Sequence, residues 1–261
     1  MPPLHLKRTL KFALRGAWDY LGFVCAISLT VFAVAILAGV AVVEALRAGH
    51  IAILVTAILA GMGIVPPFFA GACYLVHRIL SSDEPSYWHL WHGAIRMWGR
   101  SVVLFVVQIL VLGLLWVNML LYLHMGTFLC LLMGVTVFYG MLFWGMNCLY
   151  HWPLLVAGEV GILTCEDGRH SGLGSVFRNG FLLAFSAPGF TFCILVAIMG
   201  FSALLFLSGV GMVLLWIGLL AFLTTQATRD QLVRFGVIPP PPDPDEPVPD
   251  EGWTLRGEID S

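Results

Sequence analysis

Charged side chains vanish from this chain for long stretches, and those stretches have the length of a membrane. Tyr20 to Val43 runs for 24 residues without one. A bilayer core about 30 Å thick needs about 20 apolar residues at about 1.5 Å each, because in lipid every backbone N–H and C=O must be paired inside its own helix. By that measure the pattern predicts spans over about 20–43, 51–76, 101–123 and 126–158. From Asn179 to Thr228 another 50 residues carry no charge, which as one helix would extend for about 75 Å. Ser208-Gly209-Val210-Gly211 is a turn signal in its middle, so two spans are expected, 189–207 and 212–228. The fold class is therefore all-α: a polytopic membrane bundle of about six transmembrane helices.

The segments between spans have a different period. Tyr87, Trp91, Ala94 or Ile95, and Trp98 fall on one face of a helix, with His89, His92 and Arg96 elsewhere. Such a helix is expected to lie in the headgroup layer. Leu6, Leu10, Ala13 and Ala17, alternating with Lys7, Lys11 and Arg15, have the same character. Setting Pro67-Phe68-Phe69 over Pro153-Leu154-Leu155 gives an offset of 86, which also sets Trp91-His92-Gly93-Ala94 over Phe177-Arg178-Asn179-Gly180. Each loop leaves a span through a proline, turns at acidic residues (Asp83-Glu84, Glu166-Asp167) and enters the next span by an amphipathic helix. The expected unit is one interfacial helix plus two spans, used three times in parallel.

Composition sharpens this picture. Only 11% of the 261 residues are charged and mean hydropathy is +0.93, whereas a soluble exterior needs about 25% charged residues. Lipid must cover most of the surface. The basic residues form no stripe, which sets nucleic acid aside. The six cysteines include no C-x-x-C pair and five lie in apolar runs, so neither disulfides nor a structural zinc is expected. The first span is too long for a signal-peptide core of about 7–15 residues, and it is expected to be retained.

Orientation follows from counting Lys and Arg in alternate loops. One side collects 12 of 13, and the other holds only Arg47. The expectation is a multi-pass protein of a bacterial inner membrane with both termini in the cytoplasm. Residues 1–235 form the transmembrane domain, and 236–261, opening around Pro239-Pro240-Pro241-Pro242 and then acidic, form an extended, disordered cytoplasmic tail.

Candidate chemistry is sparse. His89 and His92 at i, i+3, near His77, Asp83 and Glu84, would present two imidazoles to a metal, but a third ligand would have to come from across the loop. No metal or cofactor is expected. Gly172-Leu173-Gly174-Ser175 lacks the Gly-Lys-Ser/Thr ending of a phosphate loop, and Ser175 is expected to cap a helix instead. Gln108 and Asn147 are expected to hydrogen-bond between helices. No Asp, Glu, Lys or Arg lies deep within any span; Glu44 and Glu159 sit at span ends. This disfavours a proton-coupled carrier. No nucleophile–base pair or carboxylate pair stands at catalytic spacing, so no enzyme is expected. Pro66, Pro67 and Pro153 are candidate helix breaks around a cavity.

The chain resembles the YesL-like family of bacterial integral membrane proteins, whose function is unassigned. The likeness rests on Leu14-Arg15-Gly16-Ala17-Trp18, on Pro66-Pro67-Phe68-Phe69-Ala70-Gly71-Ala72 followed by Tyr74 and Trp98-Gly99-Arg100, and on Trp152-Pro153-Leu154-Leu155 leading to Phe177-Arg178-Asn179-Gly180. It covers most of residues 10–235, and the long Pro/Asp tail departs from it. The resemblance implies an accessory or regulatory role beside a carbohydrate uptake system of the ABC type, with its permease subunits as partners. The interaction surface would then comprise Trp88, His89, Trp91, His92, Arg96, Phe177 and Arg178. The alternative is an autonomous channel or carrier for small solutes. A permease subunit is one form of that alternative, although Glu159 is followed by Val160-Gly161 and not by the Glu-Ala-Ala start of a permease coupling loop.

Overall fold

The computed structural model describes residues 6–81, 84–162 and 172–239. The acidic turn at Asp83, the Glu166-Asp167 turn, Cys165 and the tail beyond Pro239 lie outside the described residues. The described residues are helical in nine segments: α1 (Leu6–Asp19), α2 (Leu21–Arg47), α3 (Ile51–Leu80), α4 (Trp88–Arg96), α5 (Trp98–Met125), α6 (Phe128–Glu159), α7 (Leu173–Ser186), α8 (Pro188–Ser208) and α9 (Val210–Arg234). Six of them, α2, α3, α5, α6, α8 and α9, are long and apolar enough to cross a membrane. The protein is an all-α integral membrane bundle. Its order is short, long, long, three times over.

Packing is cyclic. Within each triplet the two long helices pair as a hairpin, α2 with α3, α5 with α6 and α8 with α9. The last helix of each triplet then receives the short helix of the next: α4 lies on α3, α7 on α6, and α1 closes the ring on α9. We call the end bearing α1, α4 and α7 the base. Burial of the inner helices α3, α6 and α9 is concentrated towards the base, from Pro66 to Ile79, from Met146 to Gly158 and from Ile217 to Leu232. Away from the base these helices face outward, held chiefly within their hairpins. Trp216 Nε1 donates to Ser202 Oγ at 2.8 Å in that half.

A ring against a glycine makes each basal crossing. Gly93 of α4 lies so close to Tyr74 of α3 that an added methyl would stand 2.8 Å from the tyrosine Cβ. At Gly180 of α7 the same methyl would meet His151 Cδ2 of α6 at 2.9 Å, and at Gly16 of α1 it would meet the Phe222 ring of α9 at 3.3 Å. Between lipid-embedded helices there is little hydrophobic drive, so close backbone approach, with its dispersion contacts, has to supply cohesion.

Several expectations change. Neither proline site ends a helix: α3 continues from Pro67 to Leu80 and α6 from Pro153 to Glu159, and all three prolines are buried. Neighbouring helices support the backbone at each break, as membrane helices allow. Tyr150 and His151 are fully buried, because the basal half of α6 is clad by α5 and α7. The face of α4 that meets the protein is Leu90, Gly93, Ala94 and Met97, while Trp91, Ile95 and Trp98 stay exposed. The glycine contact admits small residues only, so the helix is turned by about one position. Gly172 takes the N-cap position of α7, and Ser175 donates its hydroxyl back to the Gly172 carbonyl at 2.5 Å. Gly209, with φ of +61°, makes the expected turn between α8 and α9.

Replacing Gly71 with alanine would place a methyl 2.3 Å from the Leu90 carbonyl oxygen across the α3–α4 crossing. Thermal unfolding in detergent should show a loss of about 1–3 kcal/mol for G71A and for G93A. G99A, whose methyl meets nothing within 4 Å, should be neutral or slightly stabilising.

Candidate functional site

Polar side chains gather inside the basal half, where α3, α6 and α9 converge. A buried hydroxyl or amide in lipid must find a partner within the protein. Most here do. Gln108 of α5 lies 3.0 Å from His151 Nδ1, so with the amide nitrogen donating, the imidazole carries its proton on Nε2. Tyr150 and Thr191 hydroxyls are 2.7 Å apart, linking α6 to α8. The Gly218 amide of α9 donates to Ser28 Oγ of α2 at 2.9 Å. Thr9 of α1 donates to Asp230 at 2.5 Å, and Gln226 donates to the other carboxylate oxygen at 2.9 Å.

Asn147 departs from this rule. It is fully buried, yet neither its amide nitrogen nor its oxygen has a partner. Gly180 lies against it: a methyl there would stand 2.6 Å from Asn147 Oδ1. The sequence-based pairing of Gln108 and Asn147 as interhelical donors is thus right for Gln108 alone, and its partner is His151. The periodicity of α6 placed Asn147 and His151 one turn apart, which was the available signal.

At the outer edge of the base, Glu159 closes α6 onto the α4–α5 junction. Arg96 Nε and Arg100 Nη1 each donate to one of its carboxylate oxygens at 2.6 Å. The carboxylate is 10% exposed, while its two arginines stay 45% and 39% exposed. Glu159 had been read as a solvated span end; it is instead the shared acceptor of two guanidinium groups.

The expected interaction residues divide into two groups. Trp88, Trp91, His92, Arg96 and Trp98 are exposed along α4 and the start of α5. Phe177 turns inward, its ring centroid 4.8 Å from that of His151, whereas Arg178 is exposed on the same helix. The two groups are not brought into one patch by any direct contact between α4 and α7 of three or more residue pairs. His89 Nδ1 accepts from the Ser86 amide at 3.2 Å, and no group of three His, Cys, Asp or Glu residues is assembled among the described residues.

On the axis itself, α3, α6 and α9 enclose a cavity of about 70 Å³. Its wall comprises His77, Leu80 and Ser81 from α3 and its cap, Pro153 and Ala157 from α6, and Thr225, Thr228, Arg229 and Leu232 from α9. Ile162 and Ile238, each just beyond a helix end, form the rim. Of the three candidate prolines only Pro153 lines it. No sequence motif announced this cavity, because its polar members, His77 and Ser81 at the end of α3 and Thr225, Thr228 and Arg229 of α9, are ordinary residues of two distant segments made neighbours by the cyclic packing.

Comparison with protein-family models, with curated proteins and with solved structures finds no match in any of the three.

An Asn147→Leu variant should be more stable to thermal unfolding in detergent, by about 1 kcal/mol, since it removes two unsatisfied buried groups while keeping the branching and heavy-atom count of the side chain. Gln108→Leu and His151→Phe should each destabilise. Their double-mutant cycle should give a coupling of about 1 kcal/mol.

Proposed function

We propose that this protein is a non-enzymatic component of a bacterial inner membrane that docks on the permease subunits of a carbohydrate uptake system of the ABC type and modulates it. The reading takes the base as the cytoplasmic face, in keeping with the position of Arg47 at the opposite α2–α3 turn, paired there with Glu44 at 2.7 Å. The observation that carries it is the outward row Trp88, Trp91, Ile95 and Trp98, next to the Arg96–Glu159–Arg100 cluster. Large aromatic anchors beside a charged rim are the usual make-up of an energetic contact between proteins. The likeness of the Pro66–Ala72, Trp98–Arg100 and Trp152–Leu155 segments to the YesL-like family supplies the class of partner. On this reading Trp91 and Trp98 would sit in the headgroup layer and meet a neighbouring transporter's own interfacial helices.

A second reading, an autonomous small-solute carrier, is favoured by one feature, the unpaired Asn147 deep in α6. Substrate sites of carriers are built from such polar groups near the middle of the bilayer.

Affinity purification of the tagged full chain in mild detergent should bring a sugar-transport permease subunit with it, and Trp88→Ala with Trp91→Ala should lose that subunit. Repeated recovery of the chain alone would count against the accessory role. Sugar or ion flux into proteoliposomes holding only this protein would shift the balance to the carrier reading. A cysteine label at Ala48 should react from outside intact cells.

A further inference from the structure

We infer that the axial cavity at the base is a binding site for a tetrahedral oxyanion, a phosphate group above all, with Arg229 as its cationic contact. The inference does not depend on the accessory role.

Three observations carry it. First, Arg229 is a cation without a carboxylate partner among the described residues: one guanidinium nitrogen donates to the Leu80 carbonyl, and the rest of the group lines the cavity. The acids nearest on the same helices are already engaged, Asp230 by Thr9 and Gln226, and Glu159 by Arg96 and Arg100. Asp230 beside it offsets its charge at a distance without forming an ion pair, so a partly buried guanidinium keeps donors free, and an anion supplied from outside would take them.

Second, the wall offers hydroxyls as well as charge. Thr225 is 5% exposed, and its hydroxyl has no oxygen or nitrogen partner; its one partner is the Cys73 thiol, a weak acceptor that an oxyanion oxygen would outcompete. Thr228 and Ser81 spend their own protons on the Thr224 and His77 carbonyls. This leaves Thr225 and Arg229 as donors. Together they match an acceptor-only ligand, since a guanidinium fork and a hydroxyl both donate to oxyanion oxygens.

Third, size fits. A water needs about 10–15 Å³ of such space, so about 70 Å³ accommodates about five non-hydrogen atoms, the count of a phosphate group. The rim, Ile162 and Ile238, is apolar.

The phosphate could be free or could belong to a lipid headgroup, and the test separates the two. The full-length protein in lipid-depleted detergent is titrated with inorganic phosphate, sulfate and glycerol phosphate by calorimetry, with chloride as the constant background. In parallel, phospholipid phosphorus is assayed after purification from membranes. Saturable binding of the soluble ions assigns a free oxyanion. Retained lipid phosphorus that is lost in Arg229→Gln assigns a headgroup. Arg229→Gln is expected to weaken binding about tenfold or more, Arg229→Lys less, and Arg15→Gln, on the exposed face of α1, not at all. Should Arg229→Gln fail to fold, Ile238→Glu sets a carboxylate at the rim without altering α9, and it too should weaken binding severalfold. Absence of both saturable binding and retained phosphorus in the unaltered protein overturns the proposal, as does unchanged affinity in Arg229→Gln and Ile238→Glu.

Discussion

Contact between a glycine on a short helix and a ring on a long one is the interaction on which the rest of this bundle depends. Lipid tails are as apolar as leucine, so three hairpins in a bilayer have no solvent-driven reason to gather. Gly16 against Phe222, Gly93 against Tyr74 and Gly180 against His151 supply the reason: each lets a short helix settle directly on the backbone of the preceding hairpin. Because each short helix runs on into the next span, every such contact also draws the following hairpin inward. Three repetitions close the ring. The basal half becomes dense, and the opposite half, which has no such helices, keeps chiefly the contacts within each hairpin.

Density at the base in turn explains its polar chemistry. Once α3, α6 and α9 are held together there, a polar residue on their inner faces is cut off from water, and most of them, Asn147 excepted, are paired by a neighbour. Gln108 with His151, Tyr150 with Thr191, and Thr9 with Asp230 are that pairing. Each links two different helices, so the polar bonds confirm the register that the glycines set. Glu159 performs the same service at the perimeter by holding Arg96 and Arg100 on either side of the α4–α5 bend. The axial cavity is where this pairing stops, with Arg229 facing space instead of a carboxylate.

Much of the architecture was legible in the chain because it follows from a single solvent. Charge-free length located the six helices long and apolar enough to cross a membrane, with ends within six residues, and Gly209 was a turn by its chemistry. The order of one amphipathic helix and two spans was readable too. The fixed offset of 86 was less sound: the matching contacts Gly93 and Gly180 lie 87 residues apart, and Gly16 precedes Gly93 by 77 residues. The signal that recurs is Gly-Ala followed by a large apolar residue, at Gly16-Ala17-Trp18 and Gly93-Ala94-Ile95. Periodicity could not orient α4, because it carries two apolar faces and only the smaller fits against Tyr74. Pairings such as Glu159 with Arg96 span more than 60 residues, and nothing local distinguishes a committed glutamate from a solvated one. The cavity was invisible for the same reason.

Ring closure through α1 has a consequence for biogenesis. The surface that receives Gly16 includes Phe222, which is synthesised about 200 residues later. At translation rates of about 5–20 residues per second, the first helix waits for about 10–40 s before its seat exists. During that interval its lysines and arginines must keep it on the membrane surface, where alternating charge and apolar residues make it stable alone. The earliest made of the nine described helices is thus the last to reach its native contacts.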